Sequence, residues 1–175
     1  MFCFRFAKGM KMIEIKTLSP ERWREARDLR LRSLKTDPAA FGSSYEEEEK
    51  LSESDWRERT KNALYAVSEE DKIVGSITFI FSDRVKSKHI ANIYGFYVDQ
   101  NFRGRGAGRM LLEKALELIR KNQNIVKVKL MVNPRQEAAF ALYKSVGFVI
   151  VGEMKKEMKI GDTFYDEFAM EKMLD

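Results

Sequence analysis

The chain offers almost no thiol or imidazole chemistry: of its 175 residues one is a cysteine, Cys3, and one a histidine, His89. A single cysteine excludes an intrachain disulfide and a cysteine-based metal site. A single histidine argues against zinc chemistry and against a histidine-centred triad. His89 begins an expected strand and reads as exposed rather than catalytic. No apolar run approaches the ~20 residues needed to cross a bilayer. The three prolines, Pro20, Pro38 and Pro134, all fall at expected helix boundaries. No repeat, low-complexity tract or linker divides the chain. Net charge is +5, but Arg5, Lys8 and Lys11 supply three of those charges, with no acid among the first twelve residues. The remainder is unremarkable for a soluble domain. Its basic residues are dispersed among acids, without the one-sided stripe that nucleic-acid binding needs. Neither membrane nor nucleic acid is expected as a partner, and a reducing, cytoplasmic compartment is the simplest reading.

What is present suits a globular core: 44% of residues are hydrophobic and 34% charged. Residues 1–12 are Phe-rich and precede the first convincing strand. They are set apart as an N-terminal extension, either disordered or the result of a start assigned too early, and 13–175 are expected to form a single domain. Ile13 to Leu18 alternates as an edge strand. Ser19-Pro20-Glu21 supplies a cap, a proline and an early acid for a helix reaching about Leu34, which Asp37-Pro38 stops. Phe41 to Lys50 reads as a loop carrying Glu46–Glu49, and a second short helix starts near Ser52, with Asp55 at capping-box spacing. Strands are expected at Ala63–Val67, Ile73–Phe81 and Ile90–Asp99, as an antiparallel meander.

A helical stripe then runs from Met110 to Lys121, a strand covers Ile125–Val132, and Asn133-Pro134 opens a helix that ends at Gly147. Gln136 stands three residues after Asn133, a capping-box-like spacing. Phe148–Ile160 and Phe164–Met173 form a hairpin around Gly161-Asp162. The order β-α-α-β-β-β-α-β-α-β-β is a mixed α+β pattern.

The densest signal is Arg103-Gly104-Arg105-Gly106-Ala107-Gly108, between the Ile90–Asp99 strand and the next helix. Glycine lets backbone N–H groups approach a ligand, and a helix starting there aims unpaired N–H groups and its positive dipole end at the same spot. The arrangement is a cradle for phosphate oxygens. It is not a dinucleotide fingerprint, because the third glycine position is Arg109 and the following strand offers no acid for a ribose. No Gly-Lys-Ser/Thr ending is present for a Walker A loop. The alternative is a plain structural turn.

These six residues resemble the Arg/Gln-x-x-Gly-x-Gly/Ala signature of the GNAT superfamily, the acyl-CoA-dependent N-acyltransferases. Phe96-Tyr97-Val98-Asp99 upstream and Met110-Leu111-Leu112 downstream extend the match. Glu137 to Phe148, with Leu142-Tyr143 and Gly147-Phe148, resembles the family's second helix and its ending. The resemblance implies a twisted, mostly antiparallel sheet of six to seven strands, splayed at its centre and flanked by four helices. Acetyl-CoA would lie in the opening, against Phe96, Tyr97 and Val98. Its pantetheine would pair with the backbone of Phe96 and Val98, and its pyrophosphate would rest on the N–H groups of Arg103, Gly104, Arg105, Gly106, Ala107 and Gly108. Arg103 and Arg105 would add charge-assisted contacts. Asn133 and Tyr143 would face the same opening. One departure is Gln136, where relatives commonly carry asparagine.

Acetyl transfer needs a neutral amine, donors for the oxyanion and a proton for the departing thiolate. A lysine-like amine has a pKa of ~10.4, so it must lose a proton. The resemblance makes Tyr143 the general acid near the sulfur, with core packing as the alternative, and uses the Val98 N–H to polarise the carbonyl. The general base is not readable: the strand before the glycine turn carries no carboxylate and offers the acceptor Tyr94. Glu48, in the acidic run, and Asp166, on an apolar face with Phe164, Phe168 and Met170, are the acceptor-side candidates. The alternative is a solvated charge cluster for the first and a structural pair for the second. The expected activity is direct transfer from acetyl-CoA to a primary amine of a small molecule or protein. A non-catalytic CoA-binding regulatory module is the rival. Dimerisation through the C-terminal hairpin is a family habit that no residue here demands.

Overall fold

The computed structural model describes residues 12–174; the expectation for the N-terminal extension lies outside them, apart from Met12. The elements in chain order are β1 (Ile13–Lys16), α1 (Trp23–Thr36), α2 (Tyr45–Glu48), α3 (Glu53–Lys61), β2 (Ala63–Ser68), β3 (Ile73–Phe81), β4 (Ile90–Val98), α4 (Ala107–Arg120), β5 (Lys127–Val132), α5 (Glu137–Ser145), β6 (Val149–Ile160) and β7 (Thr163–Met173). The strands form one seven-stranded sheet in the order β1-β2-β3-β4-β5-β7-β6. Every pair is antiparallel except β4 with β5. No helix among the described residues is long and apolar enough to cross a membrane.

Each face of the sheet has its own core. On one face the α4 stripe, with Leu111, Leu112, Ala115 and Ile119 fully buried, packs on Ile77, Ile93, Val128, Leu130 and Met170. On the other face Leu29, Leu34 and Trp56 of α1 and α3 pack on Tyr65, Val67, Ile73 and Tyr97. That second core contains no residue of β5, β6 or β7, so α1–α3 cover only half of their face.

The feature that positions the site is the brevity of the β4–β5 pairing. Only Ile90–Lys127, Ala91–Val128 and Asn92–Lys129 pair, and beyond them the strands part. The divergence begins where β4 bulges. Gly95 has φ +59°, the register against β3 shifts between Ser76 and Thr78, and the Ser76 hydroxyl donates to the Gly95 carbonyl (3.3 Å). One extra residue reverses which side chains face each side. Before the bulge Ile93 points toward α4; after it Phe96 and Val98 do, and Tyr97 joins the opposite core.

Three local expectations need correction. The segment expected as a loop at Phe41–Lys50 contains α2, capped by a reciprocal Ser44–Glu47 box. The helix after the glycine turn starts at Ala107, not Met110, so Ala107 and Gly108 form its first turn. At the other helix the Asn133–Gln136 box does not form: the Asn133 side chain accepts from the Arg135 N–H (2.9 Å), and α5 starts at Glu137 with no side-chain cap.

Candidate active site

The parting of β4 and β5 opens a cleft of about 350 Å³. Its walls bring together Phe96, Tyr97, Val98, Arg103, Gly104, Gly106, Ala107, Gly108, Asn133 and Tyr143. These come from β4, the glycine turn, the end of β5 and α5. Arg105 is the one residue of the expected cofactor set that does not line it.

The glycines do different jobs. Gly104 (φ +72°) and Gly106 (φ +83°) adopt the left-handed conformation, and an added Cβ at either would meet open space. They are needed for the backbone path, and the space beside them leaves room for a ligand. Gly108 is needed for packing: a Cβ there would lie 3.2 Å from Phe96 and 3.5 Å from Leu142. The first intrahelical bond of α4 runs from Met110 N to Gly106 O (3.0 Å), and no side chain caps the helix. The N–H groups of its first turn therefore remain available, at the positive end of a 14-residue helix.

The two arginines separate. The Arg103 guanidinium donates to the Val98 carbonyl (2.9 Å) and to Asp37 (2.8 Å), so it fastens the end of α1 to the end of β4. Arg105 forms no ion pair among the described residues and lies 5.4 Å from the Phe102 ring centroid. Among the described residues it is the one arginine of the turn without an ion pair, although sequence alone treats the two alike.

The open edge of β4 presents backbone groups. The Asp99 N–H donates to the Val74 carbonyl (2.8 Å), which makes Val98–Gly75 a non-hydrogen-bonded rung. The Val98 N–H and carbonyl thus point away from β3, toward the cleft. The carbonyl is taken by Arg103, and the N–H has no partner among the described residues.

Two side chains complete the cleft. Asn133 is 2% exposed; its carbonyl oxygen is used locally, while its Nδ2 has no partner among the described residues. Unsatisfied buried donors are rare and mark a site where a ligand or water accepts. Tyr143, 5% exposed, is held between Phe96 (5.7 Å between centroids) and Phe148 (5.9 Å). Its hydroxyl makes no hydrogen bond among the described residues, and burial raises its pKa well above the usual phenolic value. It stays protonated at neutral pH and can only donate or share that proton.

The acceptor-side candidates do not converge on the cleft. Glu48 is 3% exposed and clamped by Arg30 (2.8 and 3.0 Å) and Arg59 (2.9 Å), so it is neither a solvated charge nor a free carboxylate. Burial pushes its pKa up, but the arginines outweigh burial and hold it below the ordinary value. Asp166 accepts from the Lys156 N–H (2.8 Å) and pairs with Lys155 (3.1 Å), the structural alternative. It secures a bulge in β6 where Lys156 has φ +56°. The bond from the Lys156 N–H, aided by Lys155, lowers its pKa. Tyr94 is 54% exposed, on the sheet face opposite α4. Sequence reasoning missed Asp37, whose role as the Arg103 partner has no local signal, and Glu167, a partly buried acid on β7.

The sequence profile of the Acetyltransferase (GNAT) family matches residues 23–148. An uncharacterized N-acetyltransferase of Methanocaldococcus jannaschii is 36% identical over 64 residues, which is 37% of this chain and 28% of that protein. The chain therefore matches under a third of the length of that curated relative. An acetyltransferase of the GNAT family from Streptococcus pneumoniae superimposes with a TM-score of 0.82 at 24% identity, covering 93% of this chain and all of the other. A Salmonella typhimurium protein solved with its cofactor acetyl-CoA superimposes with a TM-score of 0.77 at 18% identity, over 94% of this chain and 95% of that one. With the profile spanning α1 to the start of β6, glycine turn and Tyr143 included, this chain belongs to the GNAT family of acetyltransferases.

Proposed function

We propose that this protein is an N-acetyltransferase of the cytoplasm that moves the acetyl group of acetyl-CoA directly to a primary amine of a small molecule or peptide. The observation that carries the reading is a convergence on one cleft. The uncapped N-terminus of α4, the unpaired Val98 N–H and the partnerless Tyr143 hydroxyl all lie on its walls. The residues fit coenzyme A. The first-turn N–H groups of α4 and the cation of Arg105 suit a pyrophosphate. The Val98 N–H and Asn133 Nδ2 suit the carbonyl groups of an extended amide chain.

Bound there, acetyl-CoA supplies an acyl group activated as a thioester. The Val98 N–H donates toward the carbonyl oxygen and stabilises charge that develops on it. The Tyr143 hydroxyl, which burial keeps protonated at neutral pH, would supply the proton that the departing sulfur takes up. Cys3 lies outside every motif and outside the described residues, and direct transfer needs no acyl-enzyme.

Calorimetric titration with acetyl-CoA, repeated on Gly106→Trp, tests the binding half: equal heats from both proteins refute it. Release of free thiol in the presence of amines tests the chemistry. Binding without thiol release supports the regulatory-module reading instead.

A further inference from the structure

The acetyl-transfer reading leaves the acceptor ammonium without a base, and the sheet supplies one on its other face. Phe168 of β7 points toward α5, its ring 5.7 Å from Phe140. Side chains alternate along a strand, so Glu167 points the opposite way. The same alternation places Tyr94, next to buried Ile93, and Met131, between buried Leu130 and Val132, on the face that Glu167 shares. Val132–Phe168 is the last rung joining β5 to β7, and Asn133 and Glu167 are the next residue of each strand. Glu167 therefore stands at the mouth of the split, beside the cleft-lining Asn133 and across the sheet from Tyr143.

This face is open to an incoming molecule. The core under α1–α3 stops at β4, and Tyr94 and Met131 are 54% and 41% exposed. A groove of about 770 Å³ lies beside it, between the segment after α1 and the β6–β7 hairpin. The turn at 38–40 separates the two hollows: Asp37 and Ala40 line the cleft, while Pro38 and Phe41 line the groove. Met158, on the groove wall, pairs with Tyr165, two residues from Glu167 on the same face.

Glu167 differs from its acidic neighbours in being unengaged. Glu48 is clamped by two arginines, Asp166 is bound to Lys155 and Lys156, and Glu171 pairs with Lys127 (2.9 Å). Glu167 makes no hydrogen bond or ion pair among the described residues, although it is partly buried. Burial, and then the nearby Glu157, raise its pKa above the usual carboxylate range. A raised pKa makes it a stronger base for an ammonium. Among the described residues the other charged groups near this face include Lys127 and Lys129 of β5, Glu171 of β7, Glu157 of β6, Arg135 over the Tyr165 ring (4.9 Å), and Lys35, Glu46, Glu47 and Lys159 along the groove; β4 contributes Tyr94.

We infer that Glu167 is the general base of the reaction, receiving a proton from the acceptor ammonium on the sheet face opposite the general acid. The inference rests on the acetyl-transfer reading above. The ammonium loses one proton to Glu167, which passes it to solvent. The neutral nitrogen attacks the thioester carbonyl, the C–N bond forms and the C–S bond breaks. The nitrogen sheds a second proton, which balances the one Tyr143 gives to sulfur, and the products are the amide and the free thiol.

The test compares wild type, Glu167→Gln and Glu167→Asp with spermidine, tyramine and an alanine-initiated hexapeptide as acceptors, by thiol release from pH 6 to 9. For each acceptor that wild type uses, Glu167→Gln should lose about 10²-fold in kcat. Its KM for acetyl-CoA should stay within about twofold, since the base lies across the sheet from the coenzyme cleft. Its residual rate should climb about tenfold per pH unit with spermidine and tyramine and level off above about pH 8 with the peptide, following the free amine alone. Glu167→Asp should recover part of the rate and the wild-type profile. Thermal melting gives a second readout: removing an unpaired, partly buried carboxylate should raise the melting temperature at pH 8. An unchanged kcat and pH profile in Glu167→Gln, with wild type active, overturns the base and leaves acetyl transfer standing. Wild type inactive on all three acceptors counts against acetyl transfer itself and takes the base with it.

Discussion

Replacing Glu48 by glutamine should unfold α1–α3 at a markedly lower temperature, although Glu48 does not line the cleft. Glu48 of α2 receives both arms of Arg30 from α1 (2.8 and 3.0 Å) and one from Arg59 of α3 (2.9 Å). It is the only carboxylate among the described residues that holds three helices together. Glutamine keeps the shape but removes the charge and turns an NH₂ toward a guanidinium. Arg30, 18% exposed with its Nη1 already lacking a partner, would then be a buried cation without a counter-ion. Breaking one partner of a buried ion pair costs about 3–5 kcal/mol. Arg59 is 48% exposed and regains water, which favours about 3 kcal/mol, the lower end of that range. For a chain of this length each kcal/mol moves the melting temperature by about 2–4 °C, so the expected fall is about 6–12 °C. Circular dichroism at 222 nm reads it, with exposed Glu46→Gln as a control that should move stability by less than about 0.5 kcal/mol. The sign with pH follows from the lowered pKa of Glu48. Its contribution is fully present above the unfolded value of 4.5 and disappears as pH falls through the lower folded value. Wild type should therefore lose stability relative to Glu48→Gln on acidification below pH 4.5, and the two curves should converge. A melting temperature within 2 °C of wild type at pH 7 would refute the clamp, since that corresponds to about 1 kcal/mol or less.

Other substitutions probe the cleft. Tyr143→Phe should lower kcat by about 10²-fold while leaving acetyl-CoA affinity within about twofold, measured by thiol release and calorimetry. Gly106→Ala places a Cβ on a residue with φ +83° and should destabilise by about 1–2 kcal/mol, read by thermal melting. Arg105→Ala should weaken acetyl-CoA binding, with a smaller salt dependence than wild type, and leave the melting temperature unchanged. Arg103→Ala should do the reverse and lower the melting temperature first, because Arg103 is bonded to Val98 and Asp37.

Much of this molecule is legible in its sequence because the strongest signals are local. Helical stripes, prolines at helix boundaries and the Gly161 turn are each set by neighbours along the chain. The glycine run and the Leu142-Tyr143 helix mark the cleft for the same reason: their chemistry is contiguous. What stays hidden depends on partners distant in sequence. Arg103 and Arg105 look equivalent until Asp37, 66 residues away, engages one of them. Glu48 looks solvated within its acidic run until Arg30 and Arg59 close on it. Asp166 and Glu167 are adjacent, and only the β6 bulge decides which is engaged. The Gly95 bulge defeats simple alternation, although a glycine inside an apolar strand is a signal that could have exposed it.

The three-rung contact between β4 and β5 leaves a strand edge unpaired in the middle of a sheet, the kind of edge that invites a stray extended chain to add itself. Here the invitation is made selective. Arg103 occupies the Val98 acceptor, the bulge bends the strand away, and a full β-ladder cannot propagate along what remains. What remains suits a short ligand offering a carbonyl to a lone donor better than a polypeptide seeking alternating donors and acceptors. The same side chain that joins two structural elements thus also withdraws one of the acceptors that a stray strand would need.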